Sequence, residues 1–222
     1  MFWDSFSAVP VGSRVPPAEG FYANLGKRVL DLSICLTLLP LVVPLILLIC
    51  AITGFFGPTG LYAHTRVGRQ GRLFKCWKIR TMVPGADKAL ALLRQADHAR
   101  DAEWKRFRKL SDDPRILPLG RFLRLTSLDE LPQIWNVIRG EMSLVGPRPV
   151  TREELPLYGD TLPDYLQQRP GMTGLWQVTA RRTGCFKQRI ALDQRYARNV
   201  SLRQDLWILA KTLPVLLRPT GR

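Results

Sequence analysis

Two carboxylates, Asp129 and Glu130, stand side by side in "RLTSLDELPQ", within a chain that is otherwise strongly basic. Further along, "VGPRP" holds Arg148 between Pro147 and Pro149. A following proline disfavours helical backbone, so Pro149 restricts Arg148 and pre-sets its guanidinium fork for a phosphate. Arg124, together with Lys78 and Arg80 of "FKCWKIRTM", adds positive charge. Carboxylates amid such cations suit a site for a metal-complexed diphosphate. A carboxylate there can attack phosphorus once Mg²⁺ and arginines neutralise the approach.

A plainer reading of the acids competes with this one. Ser127 and Glu130 have capping-box spacing, and acids in a first helical turn are favoured by the helix dipole. With Ser127 as cap, Pro132 falls inside the helix and deletes a hydrogen bond. With Asp129 as cap, Pro132 falls in the first turn, where no intrahelical donor is needed. Capping accounts for one acid in either register and leaves the other unexplained.

The elements that must position these groups begin with an apolar run. Residues 32–52 carry no formal charge and as a helix would span about 30 Å, one hydrocarbon core. The run is too long for a signal peptide and no small-residue cleavage site closes it. Pro40 and Pro44 fall in its middle, each removing a backbone donor, which predicts a bend. Lys27 and Arg28 precede the run, while Arg66, Arg69 and Arg72 follow it. Basic flanks belong on the cytoplasmic side, and a segment that enters and leaves through one leaflet satisfies both. The expectation is a flexible leader over 1–26, a proline-bent re-entrant membrane helix over 27–56 and a cytoplasmic-face domain over 57–222. A straight span and a buried core helix are the alternatives.

Residues 65–82 read as a β-hairpin turning at 68–71. On its second strand Lys78 and Arg80 share a face with Cys76, while Lys75 and Trp77 take the other. A solvated basic ribbon beside anionic headgroups is the competing reading. A helix is expected over 87–110, broken by "SDDPR". Another carries Leu131, Ile134, Trp135 and Ile138 at helical spacing and ends at Gly140. One more follows over 190–198. The last is signalled by Ser201 and Gln204, with Leu202, Leu206, Leu209, Leu213 and Leu217 on one side. That side suits either a membrane surface or the domain core. The fold class is thus α+β and helix-rich, with amphipathic interfacial helices.

Composition narrows the partners. Lys and Arg number 33 against 18 Asp and Glu, a net charge of +15, which points to polyanions such as phosphorylated substrates, anionic lipid or nucleic acid. The four cysteines form no C-x-x-C pair and only two histidines could join them. Neither a zinc site nor a disulfide framework is indicated.

The motifs taken together resemble the bacterial sugar transferases of the monotopic phosphoglycosyl transferase family. They are "KRVLD" before the proline-bearing apolar segment, "FKCWKIRTM", "SLDELPQ" with "MSLVGPRP", "RPGMTGLWQV" and "LDQRYARNVSLRQDLWIL". The resemblance implies that Asp129 is the nucleophile towards the β-phosphate of a UDP-sugar, with Glu130 assisting. It implies Mg²⁺ beside Asp129, and phosphate held by Arg148 with Arg124, Lys78 and Arg80 as further candidates. The acceptor would be polyprenyl (undecaprenyl) phosphate at the bacterial inner membrane, next to inner-leaflet anionic lipid and without nucleic acid. Homo-oligomerisation stays open. One departure stands out: the family commonly has Ser-Pro at the membrane-helix bend, where this chain has Val43-Pro44. A membrane-tethered basic protein that binds anionic lipid or nucleic acid without chemistry is the alternative. It gives no reason for paired acids inside a basic site.

Overall fold

The computed structural model describes residues 20–55, 60–180 and 184–217. Most of the expected leader, 1–19, and Arg181 and Arg182 of the "RPGMTGLWQVTARRTG" loop lie outside the described residues. Helical structure starts before the expected boundary at Lys27: a π-helical turn, Tyr22–Gly26, runs directly into α1, Lys27–Phe55.

Helix α1 is unbroken through Pro40 and Pro44. It is the one stretch among the described residues long and apolar enough to cross a membrane. One stripe of it, Asp31, Cys35, Val42, Ile49 and Thr53, is buried. Its intervals of four and seven residues keep these positions on one helical face. Leu36, Leu41, Val43, Leu47, Leu48 and Ile52 are exposed. Val43, in place of the family serine, thus points away from the packed stripe.

The stripe lies along the domain. At its start Lys27 pairs with buried Asp205 at 2.6 Å, and Arg28 donates to the carbonyls of Val137 and Ile138. Asp31 accepts from the Leu144 amide at 3.0 Å. Cys35 and Val42 join the main core with Ile134, Val137 and Leu144. Near the far end Ile49 packs with Ile79 and Leu123.

The expected hairpin is present: β1, Leu61–Val67, and β2, Leu73–Ile79, pair antiparallel with Tyr62 opposite Lys78 and His64 opposite Cys76. Gln70 and Gly71 take positive φ in its turn. The single helix expected over 87–110 is instead two, α2, Ala86–Ala96, and α3, His98–Phe107. Asp97 breaks it by leaving helical backbone and capping α3 through the amides of Ala99 and Arg100. Its short carboxylate competes for local backbone donors, which composition and period do not reveal. The "SDDPR" segment closes on itself as Asp113 and Arg115 form a buried ion pair.

Helix α4, Pro118–Leu125, leads to a 3₁₀ turn over Leu128–Glu130 and then α5, Gln133–Ile138. On α5 the buried face is Ile134 and Val137, while Trp135, expected inside, is exposed. Strand β3, Ser143–Val145, pairs parallel with β4, Gly171–Thr173. Between them a 3₁₀ stretch, Arg152–Thr161, and α6, Leu162–Gln167, cover a second apolar cluster around Tyr158 and Tyr165. Helices α7, Leu175–Thr179, α8, Phe186–Arg198, and α9, Leu202–Leu217, complete the domain. α8 begins earlier than expected, at Phe186.

On α9 the core reading holds for one face, and a second apolar face stays exposed. Asp205 and Ile208 are fully buried, whereas Leu202, Leu206, Trp207 and Leu213 are exposed. The Gln204 amide bonds the Ser201 hydroxyl at 3.3 Å, as the capping spacing predicts.

Candidate active site

The acids do not cap a helix. Ser127 makes no side-chain cap, and Pro132 precedes α5. Ser127 instead takes φ +58°, a left-handed conformation that costs an L-residue roughly 1–2 kcal/mol. The turn it makes carries the chain from α4 into the 3₁₀ segment. Asp129 is thereby buried, at 6 % exposure.

The two carboxylates are treated differently. Glu130 Oε1 accepts from Lys78 Nζ at 2.6 Å and lies 3.4 Å from an Arg148 guanidinium nitrogen. Asp129 forms no ion pair among the described residues. Burial, and next the charge of Glu130, push its pKa up, while Lys78, Arg124 and Arg148 pull the other way. Three cations are near enough to matter without any one of them neutralising Asp129. That is a carboxylate kept available.

Each cation is positioned by a named contact. Arg124 Nε donates to the Thr81 hydroxyl at 2.8 Å. This close pass of α4 against the end of β2 needs Gly120, where a Cβ would meet the Thr81 carbonyl oxygen at 2.3 Å. Lys78 depends on β2, which is clipped to α5 by fully buried Asn136. Its side chain accepts from the Trp77 amide at 3.0 Å and donates to the Lys75 carbonyl at 2.7 Å. Arg80, also expected here, lies just past the strand with its guanidinium 5.0 Å from the Tyr62 ring centre.

The turn that presents Arg148 is held through four consecutive carbonyls. Pro147 O accepts from the Gly171 amide at 2.8 Å and Val150 O from the Val67 amide at 2.9 Å. Arg148 O accepts from Arg189 at 2.7 Å, and Pro149 O from Arg66 at 3.4 Å. The two prolines donate nothing, so carbonyl acceptance is how this turn is fixed. Its approach to β4 requires glycine: a Cβ on Gly171 would meet the Gly146 nitrogen at 2.1 Å.

Arg189 is itself buried and anchored. Asp193 lies 3.5 Å from its Nε and accepts from the Tyr158 hydroxyl at 2.8 Å. Burial lifts Asp193 to about 6. Sequence reasoning missed Arg189, Asn136 and Thr81 as site supports. The visible signal for Asn136 was an amide inside the apolar run "IWNVI".

Among the described residues no three His, Cys, Asp or Glu side chains gather as a metal cage. Mg²⁺ does not require one, since it is usually bound by one or two carboxylates plus substrate phosphates. Asp129, buried and without an ion pair among the described residues, fits that role, and a cation beside it would offset the cost of its charge.

The chain matches the family model described as "Bacterial sugar transferase" over residues 22–219. It is 44% identical over 211 residues to the exopolysaccharide production protein ExoY of Sinorhizobium fredii, covering 93% of each chain. It is 44% identical over 195 residues to the undecaprenyl-phosphate galactose phosphotransferase of Salmonella typhimurium, covering 88% of this chain and 41% of that one. With the UDP-glucose:undecaprenyl-phosphate glucose-1-phosphate transferase of Caulobacter vibrioides the identity is 38% over 210 residues, 90% of this chain and 73% of that one. The chain thus spans nearly all of one relative and less than half of another.

Proposed function

The chain belongs to the bacterial sugar transferase family, and on that premise we propose that it moves a sugar-1-phosphate from a UDP-sugar to undecaprenyl phosphate. The product would start an exopolysaccharide or other surface glycan. The relatives' names support donor, acceptor and pathway class. The observation that carries the chemistry is Asp129: buried, without an ion pair among the described residues and ringed by Lys78, Arg124 and Arg148.

In this reading an Asp129 carboxylate oxygen attacks the β-phosphorus of the donor. The bond from phosphorus to the bridging oxygen breaks, UMP leaves with that oxygen, and a phosphosugar remains on Asp129. A phosphate oxygen of the lipid acceptor then attacks the same phosphorus and frees the carboxylate, giving a polyprenyl diphosphosugar. Arg148 and Arg124 hold the charge that builds on the phosphoryl oxygens. Lys78 keeps Glu130 beside the nucleophile, where Glu130 orients the acceptor or takes its proton. Mg²⁺, held by Asp129 with the diphosphate, would supply further charge neutralisation.

The membrane side of the reading is a re-entrant α1 at the cytoplasmic face of the inner membrane. Its support is that domain elements pack against both ends of the helix: Asp205 and Leu144 at the start, Ile79 and Leu123 near the end. A straight span would carry the backbone of β2 and α4 into hydrocarbon, where unsatisfied polar groups cost several kcal/mol each. The exposed leucines of α1 and α9 then meet acyl chains and headgroups.

Intact-mass analysis tests the chemistry. Protein incubated with Mg²⁺ and UDP-glucose or UDP-galactose, without lipid, should gain a hexose-phosphate that polyprenyl phosphate removes and that Asp129→Asn never acquires. Turnover of a donor by Asp129→Asn at the wild-type rate would sink the covalent reading.

A further inference from the structure

A cleft of about 300 Å³ opens between β1 and the start of the 3₁₀ stretch, within the usual size range of small-ligand sites. Tyr62, His64 and Thr65 form one wall, and Thr151, Arg152 and Glu153 the other. No role in the transfer chemistry falls to these six residues.

Both walls of the cleft adjoin, through the strand register and the chain, residues of the phosphate site. Tyr62 stands directly opposite Lys78 and His64 opposite Cys76, so these side chains share the hairpin face with the lysine that holds Glu130. Cross-strand neighbours are about 5 Å apart. On the other wall Thr151 follows Arg148 by three residues, at most about 10 Å of chain. Arg66 ties the walls together, reaching Pro149 O at 3.4 Å and Glu154 at 3.6 Å. A ligand whose phosphates lie at Lys78 and Arg148 has this cleft within reach of its next moiety.

Resting on the transferase reading, we propose that the cleft is the nucleoside subsite, taking the uridine end of the donor. Its chemistry matches a flat base bearing a hydrogen-bond donor on its edge. Tyr62 and His64 supply two rings with centres 6.2 Å apart and planes inclined by 55°. The guanidinium of Arg80 lies 5.0 Å from the Tyr62 ring centre and stiffens it. This gives Arg80 a task beside Tyr62. Glu153 supplies an acceptor, kept ionised by the Thr151 hydroxyl that bonds it. A carboxylate accepts from the N3–H of uracil, whereas cytosine presents a bare N3 and repels it. His64, pushed towards the neutral form by burial and then by Arg66, adds no repulsion to Arg80 or Arg152.

The test is calorimetric titration of the detergent-solubilised full chain with UMP, CMP and Mg²⁺-pyrophosphate, beside assay of UMP release from UDP-sugars. Tyr62→Ala and His64→Ala should each weaken UMP about tenfold, the scale of one lost base–aromatic stack. Pyrophosphate affinity should hold within about twofold, since nothing at Lys78 or Arg148 changes. Tyr62→Phe should restore UMP binding, and Glu153→Gln should narrow the preference for UMP over CMP. If both alanine variants bind UMP as tightly as the wild type while the wild type turns over a donor, the subsite lies elsewhere and the transferase reading stands. An equal loss of UMP and pyrophosphate would mean that the cleft only supports the phosphate site. If the wild type neither binds UMP nor releases it from any UDP-sugar, both readings fall together.

Discussion

Two buried carboxylates lie by the 147–149 turn, one under the charge of the Arg148 guanidinium and the other tied, through Arg189, to the Arg148 carbonyl. Asp193 lies beside Arg189, accepts from Tyr158, and through Arg189 fixes the Arg148 carbonyl. Asp129 sits near the Arg148 guanidinium, equally enclosed, yet forms no ion pair among the described residues. Burial pushes both upward. What separates them is the partner. A buried acid with a guanidinium and a hydroxyl of its own is a brace. One left among cations that are engaged elsewhere, Lys78 on Glu130 and Arg124 on Thr81, is the one the proposed mechanism takes as reactive.

The largest effect should come from removing the reactive member. Asp129→Asn should lower UMP release by about 10³-fold or more, the scale seen when a nucleophile is deleted. Its stability should move the opposite way. A carboxyl whose folded pKa is raised contributes stability below its unfolded pKa and loses it as pH rises through the folded one. The variant should therefore melt with the wild type near pH 4 and a few degrees above it at pH 7. A melting curve that drops at pH 7 would show Asp129 to be a brace after all.

Removing the cation from the braced member should make it resemble the other. Arg189→Ala leaves Asp193 enclosed without its cation, and deleting one partner of a buried pair typically costs about 3–5 kcal/mol. The loss should be greater at pH 7 than at pH 5, because protonating Asp193 relieves it. Chemical denaturation at the two pH values measures this directly. An equal loss at both would mean that Arg189 contributes packing alone.

The reactive half of this comparison was more legible in the sequence than the bracing half. Asp129, Glu130 and Arg148 are announced by neighbours in the chain: paired acids, flanking prolines, alternation that places Lys78 on the Cys76 face. Patterns of that range are set by local sterics and period. The braces join residues far apart, Asn136 with Trp77 and Arg189 with Arg148, and nothing local marks an asparagine or arginine as the one that turns inward. The helix break at Asp97 was hidden for a related reason. The residues around it are good helix formers, and one capping carboxylate outweighed them. The long apolar segment was legible as a helix, whereas its buried stripe became visible only with its partners, Leu144, Val137 and Ile79.

The smallest expected effect probes how Asp129 is kept usable. In the proposed mechanism it must be ionised to attack, so turnover should fall on the acid side, with an apparent pKa above the ordinary aspartate value of about 3.9. Lys78 holds that pKa down although it bonds Glu130 and not Asp129. Lys78→Met should therefore move the acid limb of the rate profile to higher pH, beyond any uniform drop in rate. The direction follows from charge: losing a cation raises the cost of the carboxylate, and Glu130, left with Arg148 at 3.4 Å, repels it more strongly. A rate profile measured from pH 5 to 8 with saturating donor separates the limb from the plateau. A plateau that falls while the limb stays put would confine Lys78 to holding phosphate, and the guarding of Asp129 would then rest on Arg124 and Arg148.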